Sequence, residues 1–271
     1  MTGARAVRVT LGQLPVSEDH VANLHRALAA LDGAAARGSD LLVLPEYACA
    51  FDPRGTGPQH AEPLAGPFVQ GLRERAAATS IAVIAGTTLP GVHADRAVNA
   101  VVAIDAAGEV VGVYRKVHLY DAFGQRESDR LEPGPPDAAP VVVDVAGLRF
   151  GVMTCYDLRF PEMARRLVDA GAQVLVVPAA WSAGVRKADQ WRALAVARAI
   201  ENTSMVVAVG QAGRGVVGRS LVIGADGAVQ LELDGFAAVV SADLDPAALA
   251  AVRIQDPSLA NRRYAVVPRE A

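Results

Sequence analysis

Two nine-residue stretches constrain this fold more than anything else in the chain. "GSDLLVLPE" (38–46) and "GAQVLVVPA" (171–179) each run glycine, two spacers, four apolar residues and proline. Four uninterrupted apolar residues between turn residues mark a strand covered on both faces, as in α/β proteins whose sheets carry helices. The pair predicts two similar α/β halves, each a sheet with helices on one side. Packed face to face, the sheets give helix, sheet, sheet and helix layers, a four-layer α-β-β-α sandwich.

The surrounding pattern agrees with that order. "AVRVTLGQL" (6–14) reads as a strand, and Ser17 is placed to cap a helix in which Val21, Leu24, Leu28 and Leu31 recur at helical spacing before Gly38. A helix over 69–78 and a strand over 81–89 follow. Residues 97–119 read as a hairpin turning at Ala106–Gly108, and 141–155 as a second hairpin. The polar, Pro/Gly-rich stretch 120–140 is a long loop, a frequent home of function. A helix from Pro161 to about Gly171, a helix over 188–202, a strand over 205–211 and a hairpin turning at Asp226–Gly227 complete the core. Asp245-Pro246 reads as an N-cap with proline at the first helical position. No linker divides the halves, so residues 1–271 are expected to form a single domain.

Bulk properties remove several function classes. The net charge is −3 and the pI about 6.0, which gives no basic footprint for nucleic acid or an anionic membrane. Two cysteines in 271 residues make no disulfide framework. No signal peptide is expected, since Arg5 and Arg8 flank no apolar run, and the longest uncharged stretch, 76–94, is broken by Thr, Ser, Gly and Pro. The expected setting is the cytoplasm. The five histidines show no ligand spacing, and neither GxGxxG after a strand nor a Walker A loop occurs, so no metal and no cofactor is expected.

The chemistry concentrates in "GVMTCYDLRFPE" (151–162). Cys155 ends a strand ahead of a helix, where side chains face a crevice and a helix N-terminus favours a thiolate. Cys49, in "YACAF", reads as a buried structural thiol. A thiol with a free pKa near 8.5 needs a base to attack at neutral pH. Glu46 ends the strand at 40–44, on the rim where Cys155 would open; His118, in "KVHLYD", is the alternative and reads more simply as a hydrogen-bonded structural histidine. Lys116, at the end of the strand 109–116, could lower the thiol pKa and hold a developing oxyanion, with Glu127 of the following loop holding the lysine.

These residues together closely resemble the nitrilase superfamily of carbon–nitrogen hydrolases. "LPEYA" (44–48), "YRKVHLYD" (114–121) and "GVMTCYDLRFPE" (151–162) are similar to its three catalytic motifs in order and separation, and "ESDRLEPG" (127–134), "VPAAW" (177–181) and "WRALAVARAIEN" (191–202) extend the match. The resemblance implies Glu46, Lys116 and Cys155 as the catalytic set, with Glu127 as a second glutamate. It places the Tyr156 backbone N–H beside Lys116 in the oxyanion hole. It also implies that Asp157 and Arg159 fix the turn by pairing, or that Arg159 meets a substrate carboxylate. "CYDLRFPE" looks like the amidase branch that includes omega-amidases and deaminated-glutathione amidases. Where that branch often carries "NPAAF…TGPxHW", this chain has "VPAAWSAGVRKADQW" (177–191), which puts Val177, Trp181 and Gln190 near the pocket.

The expected reaction is hydrolysis of a primary amide of a small carboxylate-bearing compound, with a cysteine thioester intermediate. Arg159, Arg186 and Lys187 are candidate partners for the carboxylate, and Trp181 should narrow the pocket. The alternatives are a true nitrilase or N-carbamoyl hydrolase with the same triad, a Cys155–His118 hydrolase, or a catalytically silent binding protein. The resemblance further implies a homodimer or larger homo-oligomer, with about 246–271 in its contacts.

Overall fold

A computed structural model describes residues 5–269; residues 1–4 and 270–271, at the two ends of the expected domain, lie outside it. In the first half the chain alternates strictly: β1 (Val7–Gln13), α1 (His20–Ala36), β2 (Leu41–Val43), α2 (Pro67–Thr79) and β3 (Ala82–Pro90). The three strands are parallel. β4 (Ala97–Ile104) and β5 (Val110–Arg115) then add antiparallel strands. The second half repeats the plan. After β6 (Val142–Val145) come β7 (Leu148–Val152), α3 (Pro161–Asp169), β8 (Val174–Ala179), α4 (Lys187–Asn202) and β9 (Met205–Gly210), with β7, β8 and β9 parallel. β10 (Leu221–Ile223) and β11 (Val229–Glu232) follow antiparallel. β12 (Ala238–Leu244) returns to pair antiparallel with β1 and fills in the first sheet the place β6 takes in the second. Two six-stranded sheets result, β12-β1-β2-β3-β4-β5 and β11-β10-β9-β8-β7-β6. The two echoing stretches are β2 and β8, the middle parallel strand of each. The shared plan is the topology that a duplicated unit would give.

The period-2 alternation of strand side chains divides the core. Val7, Val9, Leu11, Leu41, Val43 and Ile84 turn inward and pack with Phe150, Val152, Val176 and Val207 of the second sheet. Leu42, Leu44, Val83, Ala85, Val102 and Ile104 turn outward beneath Leu31 of α1 and Phe68, Val69 and Leu72 of α2. Both faces are therefore covered, which is why the strands read as unbroken apolar runs. α3 and α4 cover the second sheet with Met163, Leu167, Trp191 and Ala195, completing the α-β-β-α order. No helix among the described residues is long and apolar enough to cross a membrane.

Two local expectations are corrected. Asp19, not Ser17, caps α1, its carboxylate accepting the Ala22 N–H. The Asn23 side chain holds Ser17 in the preceding loop by accepting its N–H and donating to its carbonyl and to that of Cys49. The buried stripe of α1 is Ala27, Ala30, Leu31 and Ala34, while Val21 faces solvent. Small alanines let this helix lie close on the sheet, and the stripe turns accordingly. After α5 (Pro246–Gln255), capped by Asp245 as expected, come the short α6 (Ser258–Asn261) and an extended tail.

Candidate active site

The carboxyl ends of β2, β5, β7 and β8 converge on one rim. Glu46 lies three residues past β2, and Tyr47 after it takes a left-handed φ of 56°. Gly86 of β3 allows this turn: a Cβ there would stand 2.5 Å from the Glu46 Cα and from the Pro45 carbonyl oxygen, so only glycine fits. The Glu46 side chain is buried and fully engaged. One oxygen accepts from Lys116 Nζ at 3.0 Å and Asn99 Nδ2 at 2.7 Å, the other from the Ala180 N–H at 2.7 Å.

Lys116 sits one residue past β5 rather than in it, with no solvent exposure. Its N–H donates to the Asn99 carbonyl and its own carbonyl accepts from Gly134, which fixes the backbone on both sides. The ammonium donates to Glu46 and to Glu127 Oε2 at 2.8 Å. Burial alone would push this lysine down. Glu127 and Glu46 outweigh burial and hold it well above its ordinary value. Glu127 in turn accepts from Tyr47 Oη at 2.9 Å and the Tyr120 N–H at 2.7 Å.

Cys155 opens a short 3-10 turn, Cys155–Arg159, and its φ of 45° lies in the left-handed region that a non-glycine residue enters only under constraint. The constraint is Asp157. Its buried carboxylate accepts from the Thr154 N–H at 3.0 Å, Tyr114 Oη at 2.7 Å and His118 Nδ1 at 2.8 Å. Tyr114 and His118 flank Lys116 in the chain. Asp157 therefore registers the lysine segment against the Cys155 turn. It pairs with these groups and not with Arg159, which corrects the expectation of an Asp157–Arg159 pair. The thiol itself is pushed well above its ordinary value, first by burial and then by the Glu46 carboxylate, with Lys116 pulling the other way. The expected lowering of the thiol is thus also corrected, because burial and Glu46 outweigh the pull of Lys116.

Glu46, Glu127, Cys155 and Tyr156 line a cavity of about 260 Å³, with Lys116 directly behind the two glutamates. Arg130, Arg159, Trp181 and Lys187 complete its walls. Arg159 donates to Gln190 Oε1 at 2.7 Å and lies 5.0 Å from the Trp181 ring centroid. Lys187 donates to Tyr120 Oη at 3.0 Å, and the Arg130 Nε is buried without a partner. None of these three cations is ion-paired among the described residues. Arg186 instead points outward to Asp189, and Val177 is buried on the helix-covered face of β8, away from the cavity. His118 stacks on Phe160 with ring centroids 3.7 Å apart and does not reach the cavity wall. His118→Asn should therefore keep activity within about tenfold, a loss in positioning rather than in proton transfer. Steady-state kinetics that find this variant dead would make His118 the base.

Three site residues lay outside the sequence reading: Asn99, Tyr47 and the Ala180 N–H. Asn99 had a signal, as the lone amide in the apolar strand "AVNAVVAI". His60 is buried. Its imidazole and the carboxylates of Glu18 and Asp52 bring potential ligand atoms within 4.8 Å of one another, but Arg54 already pairs with both acids.

This fold and site define a carbon–nitrogen hydrolase. The carbon-nitrogen hydrolase family model matches residues 8–254, and the chain belongs to that family. It is 37% identical over 262 residues to a deaminated glutathione amidase of Escherichia coli O157:H7, covering 95% of this chain and 97% of that one. A CN-hydrolase superfamily structure from Xanthomonas campestris, with an arsenic adduct in its active site, superposes with a TM-score of 0.86 at 29% identity over 97% and 99% of the two chains. An amidase of Nesterenkonia superposes with a TM-score of 0.78 at 25% identity over 95% and 97%. That structure is a Glu-to-Gln variant with the acetamide moiety of fluoroacetamide bonded to its active-site cysteine.

Proposed function

We propose that this protein hydrolyses a primary amide of a small carboxylate-bearing compound to the acid and ammonia. One observation carries the reading: a Glu46–Lys116–Glu127 cluster stands against Cys155 at the floor of a cavity whose walls hold three cations free of ion pairs among the described residues. Glu46 takes the thiol proton as sulfur bonds to the amide carbon. The resulting oxyanion is held by the Tyr156 N–H and by Lys116, whose ammonium has three donors and two glutamate partners. Collapse of this intermediate breaks the C–N bond, and Glu46 returns the proton to the leaving ammonia. Water then gives a proton to Glu46 and attacks the thioester, and the thiolate recovers that proton. The Nesterenkonia variant supports the cysteine as the nucleophile, because its counterpart forms a carbon–sulfur bond without the glutamate.

Arg159 and Lys187 suit the far carboxylate, and Trp181 beside Arg159 excludes bulky aromatic amides. The substrate class is a short linear amide such as the omega-amide of a keto dicarboxylic acid or a deaminated peptide. The test compares kcat/KM for an omega-amide acid, its methyl ester and the matching nitrile. The acid should exceed the ester by at least tenfold, about 1.4 kcal/mol of transition-state binding. Equal rates for acid and ester would remove the carboxylate, and a faster nitrile would move the protein to the nitrile-cleaving branch.

The reading extends to a homodimer or larger. Ile254, Tyr264 and Val267 stand in solvent along the C-terminal segment, an apolar series suited to a second copy. Light scattering at micromolar concentration should give at least twice the mass of the chain; a monomer would contradict this.

A further inference from the structure

We propose that Phe123 is a specificity-determining residue, its ring covering Lys187 and Arg159 so that they grip a substrate carboxylate away from water. The proposal rests on the carboxylate reading above. Phe123 is 67% exposed, so burial gives its ring little. Its φ of 53° is left-handed, an arrangement that costs a bulky residue energy, and Gly124 follows at 80°. The ring makes up for this through its contacts. Lys187 Nζ lies 3.4 Å from its centroid and Arg159 Cζ lies 5.6 Å from it. Tyr120 stacks beside it, with centroids 6.3 Å apart, and its hydroxyl accepts from Lys187. Among the described residues the two cations otherwise have only neutral side-chain hydrogen-bond partners, the Tyr120 hydroxyl and the Gln190 amide.

The loop that carries the ring is closed on the site itself. The Glu127 N–H donates to the Tyr120 carbonyl at 3.3 Å, and the Tyr120 N–H donates to the Glu127 carboxylate at 2.7 Å. Residues 121–126 therefore leave and return at the glutamate that holds Lys116. An aromatic face attracts cations without neutralising them, so both remain available to an anion. A cover that excludes water also strengthens their attraction for a carboxylate, because the same charges interact weakly when fully solvated. Phe123 thus acts on the charged end of the substrate, at a distance from the scissile bond.

The experiment measures kcat/KM for the omega-amide acid and for its methyl ester in the wild type, Phe123→Ala and Phe123→Tyr. The acid-to-ester ratio should fall at least fivefold in Phe123→Ala, chiefly through a higher KM for the acid, and recover in Phe123→Tyr, which restores an aromatic face. A ratio unchanged within twofold in Phe123→Ala, or acid and ester losing rate in equal proportion, would overturn the role of Phe123 while leaving the carboxylate reading intact. A wild-type ratio near one would instead overturn the carboxylate reading, and this proposal with it.

Discussion

Glu46→Gln should lose at least about a thousandfold in turnover while its Cys155 thiol ionises at lower pH than in the wild type. The loss follows from the two roles proposed for Glu46, moving a proton in acylation and again in deacylation, since each general acid–base contribution is commonly about a hundredfold to ten-thousandfold. The ionisation follows from sign. The Glu46 carboxylate is one of the groups that push the thiol up, and Lys116 pulls it down. An uncharged amide removes that push while burial, Glu127 and the opposing pull of Lys116 stay as they are, so the thiol comes down. Gln keeps the shape and can still accept from Lys116 and Asn99, but its NH2 then faces the Ala180 N–H, at a cost of about 1–3 kcal/mol. Ammonia release and the pH profile of iodoacetamide labelling, read on the Cys155 peptide, separate the two effects. Preserved turnover, or a labelling midpoint that moves upward, would contradict the assignment of Glu46.

Lys116→Met should cost both activity and stability. Removing an oxyanion donor typically costs about a hundredfold to a thousandfold in kcat. Methionine fills much of the space but leaves the buried Glu46 and the half-buried Glu127 with no cation between them. Breaking a buried charge network in this way costs about 3–5 kcal/mol. Denaturant unfolding should show a midpoint well below that of the wild type, and steady-state kinetics the loss of kcat. Wild-type stability would mean that the glutamates are held by something other than the lysine.

The order of the layers was legible because both faces of each sheet are covered, and covered strands leave unbroken apolar runs. Glu46 and Cys155 were legible because each stands just past such a run, where a strand end meets the crevice. What the sequence concealed depends on groups brought together across the two sheets. Ala180 reaches Glu46 through its backbone N–H, which no side-chain pattern reveals. The direction of the Cys155 shift depends on burial and on the distance from a carboxylate 109 positions earlier in the chain. Asp157 looked like a partner for its neighbour Arg159, but the folded chain offers it Tyr114 and His118 from another strand end, and Arg159 turns to Gln190 and the aromatic wall. Asp19 displaced Ser17 as a helix cap for a related reason, since Asn23 had already engaged Ser17.

The central claim is that Cys155 carries the acyl group between the two halves of the reaction. It is tested most directly by mixing the protein with an omega-amide acid, quenching in acid within the first turnovers, and mapping the peptides by mass while ammonia is counted. The account predicts one acyl group on the peptide containing Cys155, ammonia released with it, and neither adduct nor ammonia from Cys155→Ala. Ammonia release that survives in Cys155→Ala, or an acyl group found on Cys49, would contradict it.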